Sequence, residues 1–347
     1  MLRVSALCTV PGAQLAGAAA AGHRPDRRTL LAICSSLCLY EAGMALNDWA
    51  DRHTDAVERP DRPLPSGRIA PSAALGAATG LTLAGLALAR TAGRPAFLNA
   101  TALATTVWAY DLHLKNTPAG PAAMACARAL DLLQGATTGR PSPRGASHPR
   151  HTPRGTSHPW HTPRAALLPA LPSAALLGAH TYAVTTVSRR ETQGSSSALP
   201  LTALAAITAI TRTLTPHIAT PRTTPLETTA IRPPTASTNP PSPNTPTTPI
   251  ALRTSDTTLN PAHAAVCTTL STAICATVYA ATAGRPLFHA ALNPSPYLLR
   301  RAVGGGIRAT IPLQAALSAR AGAPGRATAL LALLPLARRL SRKVSPT

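Results

Sequence analysis

Apolar stretches recur along most of the chain and are separated by short polar segments. Nearly uncharged runs, rich in alanine, leucine and threonine, occupy residues 4–22, 29–48, 70–89, 97–114, 119–138, 165–187, 198–211, 262–282 and 302–340. Most have roughly the 20 residues that a helix needs to cross a bilayer, and the last run could hold two helices. The first run also fits a secretory signal peptide, but the series that follows favours a first membrane helix. The pattern predicts an all-α fold, a polytopic membrane helix bundle with about nine transmembrane helices.

Two segments interrupt this apolar series. Residues 139–164 hold a ten-residue repeat, RGASHPRHTP followed by RGTSHPWHTP, and residues 212–262 are rich in proline and threonine. Frequent proline excludes a helix, and this composition is typical of disorder. The four repeat histidines also suggest metal binding, although an expanded loop is the favoured interpretation. We predict one membrane domain over residues 1–347 with disordered insertions at 139–164 and 212–262, and expect deletion of 140–163 to preserve folding and activity.

Composition supports a membrane protein and argues against a nucleic-acid partner. The formal net charge is +21, yet only 13% of the residues are charged, about half the share usual in soluble proteins. The arginines are scattered, and aromatic residues make up only 3% of the chain, too few for base-stacking platforms. We therefore expect the lipid bilayer, and no nucleic acid, to be a partner.

Half of the twelve acidic residues lie in one stretch, between residues 41 and 61. Asp48, Asp51 and Asp55 are spaced i, i+3 and i+7, which places them on one face of a helix, and Asn47 lies at its edge. Carboxylates so close together repel one another unless a cation neutralises them. Oxygen-only ligands suit Mg²⁺ or Ca²⁺. The stretch therefore predicts a site for a hard metal ion.

Basic residues follow this acidic helix directly. The helix should end near Glu58 because Pro60 cannot continue it, and Arg59 and Arg62 come next. A carboxylate-bound metal together with arginine is the combination that binds a diphosphate, since the guanidinium adds charge-assisted hydrogen bonds. The alternative is a solvated acidic helix end that is paired with its arginines.

A second motif begins with Tyr110 and Lys115 at the end of an apolar run. Arg128 and Asp131 then lie inside the next run, at i and i+3. An arginine within a membrane span is costly unless it is paired or binds an anion. Two interpretations stay open: an Arg128–Asp131 pair within one helix, or Arg128 facing a polar cavity.

A third group of polar residues, Ser188-Arg189-Arg190-Glu191, follows a long apolar run, and such basic loop ends are common at membrane surfaces. The arginines of the Asp-rich loop predict that this loop is cytoplasmic in a multi-pass plasma-membrane protein. The preceding loop also carries Arg24, Arg27 and Arg28, although alternation of the spans puts it on the other side. The count of positive charges alone therefore leaves the orientation open.

The segment from Asn47 to Gly67, N-D-x-x-D-x-x-x-D-x-x-x-R-x-x-R-P-L-P-S-G, resembles the first Asp-rich motif of the UbiA superfamily of intramembrane prenyltransferases. The Tyr110–Lys115 spacing and the Gly120–Arg128 segment resemble that family's next block. The resemblance covers about residues 4–211 and 262–347. Residues Ser188–Glu191 and Asn293–Gly322 look similar to an actinobacterial, EboC-like branch.

This resemblance implies a nine-helix bundle with a cavity open to the bilayer, and Mg²⁺-dependent transfer of a prenyl group from its diphosphate to an acceptor. By position, the metal ligands would be Asn47, Asp48, Asp51 and Asp55. Asn47 and Asp51 would hold the diphosphate through the metal. The leaving group would be held or polarised by Arg59, Arg62, Tyr110 and Lys115. Independently of the resemblance, Arg128 is a further candidate catalytic residue if it faces the cavity.

The chain departs from the family pattern where a second Asp-rich motif is expected. Arg189 and Arg190 stand there with one carboxylate, Glu191, so the two arginines could replace a second metal at the substrate, or the site could be weakened. The acceptor stays open among aromatic, quinone-precursor, polyol and glycerol phosphate compounds. Two alternatives to an enzyme are a membrane protein that binds an isoprenoid diphosphate without turnover and a small-molecule transporter.

Overall fold

The computed structural model describes residues 9–141, 167–215 and 261–344. Within these ranges the chain forms eleven α-helices, which confirms the all-α prediction. They are α1 (Thr9–Ala20), α2 (Arg27–Ala50), α3 (Arg52–Glu58), α4 (Pro71–Ala92), α5 (Arg94–Ala109), α6 (Gly120–Ala136), α7 (Leu171–Ser188), α8 (Ala198–Leu214), α9 (Pro261–Leu292), α10 (Pro296–Arg320) and α11 (Pro324–Val344). A π-helical turn (Tyr110–Leu114) extends α5, a 3₁₀ turn (Leu168–Ala170) precedes α7, and two short strands are β1 (His23–Arg24) and β2 (Arg140–Pro141).

Every predicted apolar run contains at least one helix, and the last run contributes to both α10 and α11. Three described segments are long and apolar enough to cross a membrane by length and composition: α2, α4 and His263–Leu292 of α9. The helix α8 is apolar but shorter. The other long helices are rich in small residues and depend on their neighbours in the bundle.

Helix boundaries follow from local chemistry. Asp26 begins α2 with a capping box, in which its carboxylate accepts from the backbone N–H groups of Arg28 and Thr29. A single residue, Gly93, separates α4 from α5, and its φ of +140° lies in a region that side chains disfavour. Proline at the first turn of α4, α5 and α6 removes a donor that would have no partner in the helix.

Small residues let the helices approach one another closely. A side chain at Gly17 of α1 would collide with the backbone of Leu132 in α6, and one at Gly135 of α6 would collide with the backbone of Gln14. The hydroxyl of Ser35 in α2 donates to the carbonyl of Gly85 in α4 at 2.7 Å. Close approach of this kind stabilises membrane helix pairs, which lack a hydrophobic driving force between them.

The bundle has two distinct ends, and hydrogen bonds between loops define each of them. At the end that carries the Asp-rich segment, here the acidic end, Lys115 pairs with Asp51 and Arg189 donates to the carbonyls of Asn116 and Thr117.

At the opposite end, here the strand end, β1 pairs antiparallel with β2, and Arg326 donates to the carbonyl of His23 at 2.8 Å. Arg24, Arg27 and Arg28 therefore lie opposite the Asp-rich loop, as alternation of the spans predicts.

The predicted insertions fall largely outside the described residues. Residues 142–166 and 216–260, with the histidine repeat and the Pro/Thr-rich segment, are in this part of the chain. The boundaries differ from the prediction, because Arg140 and Pro141 belong to β2 and α8 continues to Leu214. A deletion that preserves the strand pair would thus begin at residue 142.

His180 is a fully satisfied histidine in the core between α7, α9 and α10. Its side chain is 1% exposed; Nδ1 lies 3.1 Å from Tyr279 Oη, and Nε2 lies 3.1 Å from the carbonyl oxygen of Gly306. We expect His180→Leu to reduce the free energy of unfolding by about 2–4 kcal/mol, because two buried polar groups lose their partner.

Thermal denaturation in detergent measures this effect. The matched control is Tyr182→Leu on the same helix, whose side chain is 48% exposed and whose loss should change stability by less than about 0.5 kcal/mol. A melting temperature equally insensitive to both substitutions would contradict the structural role of His180.

Candidate functional site

A cavity of about 810 Å³ opens between α2, α5, α6 and the loop that follows α3. Its α2 wall is a single helical stripe, spaced at three and four residues. The stripe consists of Ser36, Leu39, Tyr40, Gly43, Met44, Asn47 and Asp48. From Ser36 to Asn47 the stripe runs about 16 Å along the helix axis, so the cavity is elongated toward the membrane interior.

The cavity lining changes character with depth. Charged and polar residues form the mouth at the acidic end: Asn47, Asp48, Glu58, Arg59, Asp61 and Arg62. Apolar side chains form the waist: Leu39, Met44, Leu103, Val107, Met124 and Ala127. Polar side chains also line the deeper part of the cavity, at the level of Leu39: Ser36, Tyr40, Arg128 and Asp131.

The Asp-rich segment is two helices that meet at Asp51. The helix α2 ends at Ala50 and α3 begins at Arg52, but backbone hydrogen bonds continue across the break, from Asp51 N–H to Asn47 O and from Asp55 N–H to Asp51 O. The end of α3 at Glu58 confirms the boundary expected from Pro60.

The predicted carboxylates are not left unpaired. Arg62 Nη1 donates to Asp55 Oδ2 at 2.6 Å and lies 3.8 Å from Asp48 Oδ1. The Lys115 ammonium pairs with Asp51. Basic side chains therefore neutralise the repulsion, and the alternative of an acidic helix end paired with arginine describes part of this geometry.

The donor chemistry of the mouth fits a magnesium ion. Asn47 and Asp48 line the cavity with oxygen atoms, and Asp51 lies on the next turn. In the described part of the chain, no three His, Cys, Asp or Glu side chains converge as a preformed metal cage. Mg²⁺ does not require such a cage, since it is commonly held by one or two carboxylates, water and substrate phosphates.

The π-helical turn positions Tyr110 on the cavity wall. Lys115 N–H donates to the carbonyl of Tyr110, five residues earlier, at 2.9 Å. This wider turn directs Tyr110 and its neighbour Asp111 into the cavity, whereas the Lys115 side chain reaches Asp51. Such turns occur frequently at functional sites. Asp111 was absent from the predicted site, although a carboxylate within an apolar run was a usable signal.

Both interpretations of Arg128 are correct. Its Nη1 lies 3.8 Å from Asp131 Oδ2, and the residue also lines the cavity with its guanidinium 5.6 Å from the centre of the Tyr40 ring. Gln14 Nε2 donates to Ser36 Oγ at 2.7 Å and to Asp131 Oδ1 at 3.0 Å, so α1 joins this buried polar network.

The third predicted group lies beside the site. Arg189 bonds to the loop that follows Lys115, and Arg190 Nη1 donates weakly to Gln193 at 3.4 Å. Arg189, Arg190 and Glu191 are not among the described residues that line the cavity. Their role in substrate binding stays a prediction.

We expect Arg128→Leu to reduce the free energy of unfolding by about 1–3 kcal/mol, because the buried Asp131 carboxylate loses its cation. The double change Arg128→Leu with Asp131→Asn should recover part of this loss. Thermal denaturation of the purified variants measures both effects.

The matched control is Arg285→Leu, since Arg285 is exposed within α9 and should tolerate the change. Equal losses for Arg128→Leu and Arg285→Leu would contradict a stabilising Arg128–Asp131 pair.

The chain is similar in sequence to known proteins. A sequence profile of the UbiA prenyltransferase family matches residues 6–218. The digeranylgeranylglyceryl phosphate synthase of Methanopyrus kandleri is 36% identical over 115 residues, which cover 33% of this chain and 41% of the relative. The bacteriochlorophyll synthase 33 kDa chain of Rhodobacter capsulatus is 38% identical over 69 residues, which cover 20% and 23%. The chain thus spans less than half the length of these curated relatives.

Solved structures share the fold across nearly the whole chain. The apo structure of a UbiA homolog from Aeropyrum pernix K1 gives a TM-score of 0.52 at 16% identity, covering 88% of this chain and 98% of that one. A structure reported for the biosynthesis of digeranylgeranylglyceryl phosphate synthase in membranes gives a TM-score of 0.52 at 13% identity, covering 90% and 92%. At these identities the likeness shows the fold, a helical membrane bundle.

Proposed function

Because the chain belongs to the UbiA prenyltransferase family, we propose that it transfers a prenyl group from a prenyl diphosphate to an acceptor within the membrane. The observation that carries this proposal is the cavity, which joins a mouth of carboxylates and arginines to an apolar waist. A prenyl diphosphate has the same division, with an anionic head and an apolar chain.

The mouth residues would have different roles in binding the diphosphate. Asn47, Asp48 and Asp51 would hold Mg²⁺, and Asp55 would keep Arg62 in place through its 2.6 Å hydrogen bond. Bound magnesium would neutralise negative charge on the departing diphosphate.

Arg59 and Arg62 would bind the phosphate oxygens, and Tyr110 would donate to the leaving group from the cavity wall. Lys115 would stabilise its negative charge after exchanging Asp51 for a phosphate oxygen.

The apolar waist would exclude water from the allylic cation. Leu39, Leu103 and Val107 present only hydrocarbon to the cavity at this level. Water would otherwise capture the cation before the acceptor does.

The partners follow from the site and from the relatives. Relatives are named for digeranylgeranylglyceryl phosphate and bacteriochlorophyll synthesis, which supports a lipid-soluble acceptor here. We place the chain in the plasma membrane as one multi-pass domain, with its acidic end cytoplasmic. Arg59, Arg62 and Arg68 of that end fit this orientation, whereas Arg24, Arg27 and Arg28 at the strand end would favour the reverse.

A binding protein without turnover is the second candidate. The Arg189 guanidinium bonds to backbone carbonyls, where a typical family member would have a second set of acids. A transporter is no longer needed to explain the charged residues inside the bundle, since Arg128 and Asp131 compensate each other there.

The test is diphosphate release from farnesyl and geranylgeranyl diphosphate by the full chain in lipid nanodiscs, with Mg²⁺ or EDTA and an acceptor panel. Release that requires Mg²⁺, with prenylated product, supports the enzyme. Saturable binding of either diphosphate without release across the panel would replace it with the binding protein.

A further inference from the structure

Asp111 is a buried carboxylate in the cavity wall that the roles above leave unused. Its side chain is 5% exposed and lines the cavity. The ammonium group of Lys115, four residues after Asp111 in the chain, pairs with Asp51. Among the described residues, neither a hydrogen bond nor an ion pair within 4 Å engages the Asp111 carboxylate. Burying such a group without a partner is costly, which indicates a functional reason for its presence.

Gly43 of α2 lies beside Asp111 and gives the depth of its carboxylate in the cavity. A Cβ atom placed on Gly43 would lie 3.8 Å from Asp111 Oδ2 and 2.8 Å from Val107. Gly43 precedes Asn47 by one helical turn, so the carboxylate lies about 6 Å below the mouth. At this level the charged mouth meets the apolar waist, where the first carbon of a prenyl group would lie if its diphosphate occupied the mouth.

Asp111 lies beside Gly43, one helical turn below Asn47, which lines the mouth. A carboxylate beside the reacting carbon is placed to receive a proton from the incoming nucleophile.

We propose that Asp111 is the general base of the transfer and that the acceptor nucleophile is a hydroxyl group. This inference rests on the proposed function. The bond between the first prenyl carbon and the diphosphate oxygen breaks, and its electron pair leaves with the diphosphate. The acceptor oxygen bonds to that carbon, and its proton passes to the Asp111 carboxylate. An acceptor carboxylate would need no base, whereas an alcohol or phenol gives up a proton that the Asp111 carboxylate can take.

The test uses the full chain in nanodiscs with geranylgeranyl diphosphate, Mg²⁺ and geranylgeranylglyceryl phosphate as the hydroxyl probe, with water as a second nucleophile. Wild type is compared with Asp111→Asn and Asp111→Ala. The matched control is His113→Asn on the exposed side of the same turn. Binding of a non-hydrolysable thiolodiphosphate analogue in the presence of Mg²⁺ is measured separately for every variant.

We expect both Asp111 variants to bind the analogue within about threefold of wild type and to transfer at least about 100-fold more slowly. Formate, a small carboxylate, should restore transfer in the Ala variant in proportion to its concentration and leave the Asn variant unchanged. A residue that only supports the structure would not respond to formate.

Three results would overturn the inference: transfer by Asp111→Asn within threefold of wild type, loss of analogue binding in that variant, or an Ala variant insensitive to formate. Each of them leaves the proposed function standing when wild type is active. A wild-type chain that transfers to neither probe and binds no analogue would overturn the proposed function and this inference with it.

Discussion

Asp51→Asn should reduce Mg²⁺-dependent diphosphate release by about 10²–10³-fold, because the mouth loses a proposed metal ligand and Lys115 loses its charge partner. The substitution keeps the size of the side chain and an oxygen that can accept from Lys115. Folding should therefore change little, and the loss should appear in the rate. Initial rates with geranylgeranyl diphosphate, measured over a range of Mg²⁺ concentrations, separate weaker metal binding from slower chemistry.

The matched control is Asp26→Asn at the strand end, where asparagine also caps α2 well. This change removes the same charge far from the mouth and should leave the rate within twofold. A comparable loss in both variants would show that net charge, and not the mouth, governs the rate.

Arg62→Ala should lower the free energy of unfolding by about 2–4 kcal/mol as well as the rate of release. Asp55 is 5% exposed, and Arg62 is the partner that donates to it at 2.6 Å, so removal of the guanidinium leaves a buried charge uncompensated. The double change Arg62→Ala with Asp55→Asn should restore most of the stability and none of the rate. Thermal denaturation and diphosphate release are measured on the same preparations.

Arg68→Ala is the matched control, because Arg68 is exposed and its hydrogen bonds within the described ranges stay in its own loop, to Ser66 and to the carbonyl of Asp61. It should cost less than about 0.5 kcal/mol. If Arg62→Ala proved as mild, the Asp55–Arg62 pair would not stabilise the mouth.

The helices were predictable because uncharged runs of about 20 residues have few alternatives to a membrane helix. The residues at which these helices end were harder to predict. The run at 262–282 was expected to end before Arg285 and Pro286, yet α9 continues to Leu292. Gly305 of α10 packs closely against Pro286, so the neighbouring helix accommodates the proline. Contacts of this kind join residues far apart in the chain and leave no local signal.

The site likewise combines features that local spacing predicts with features that depend on residues far apart in the chain. Helical spacing predicted Asp48, Asp51 and Asp55 on one face with Asn47 at its edge, and from this set Asn47 and Asp48 line the cavity. The Lys115–Asp51 pair spans 64 residues and depends on how α5 packs beside α2. Asp111 was overlooked although it is a carboxylate within an apolar run, and the π-helical turn directs it into the cavity.

The pairing of β1 with β2 has a consequence for determining which way the bundle faces. Helices α6 and α8 end, and α7 and α9 begin, at the strand end, whereas the link between α9 and α10 at the acidic end spans only Asn293–Ser295. A reporter tag inserted after residue 141 would therefore lie on the side of the strand pair and reveal which compartment that end faces.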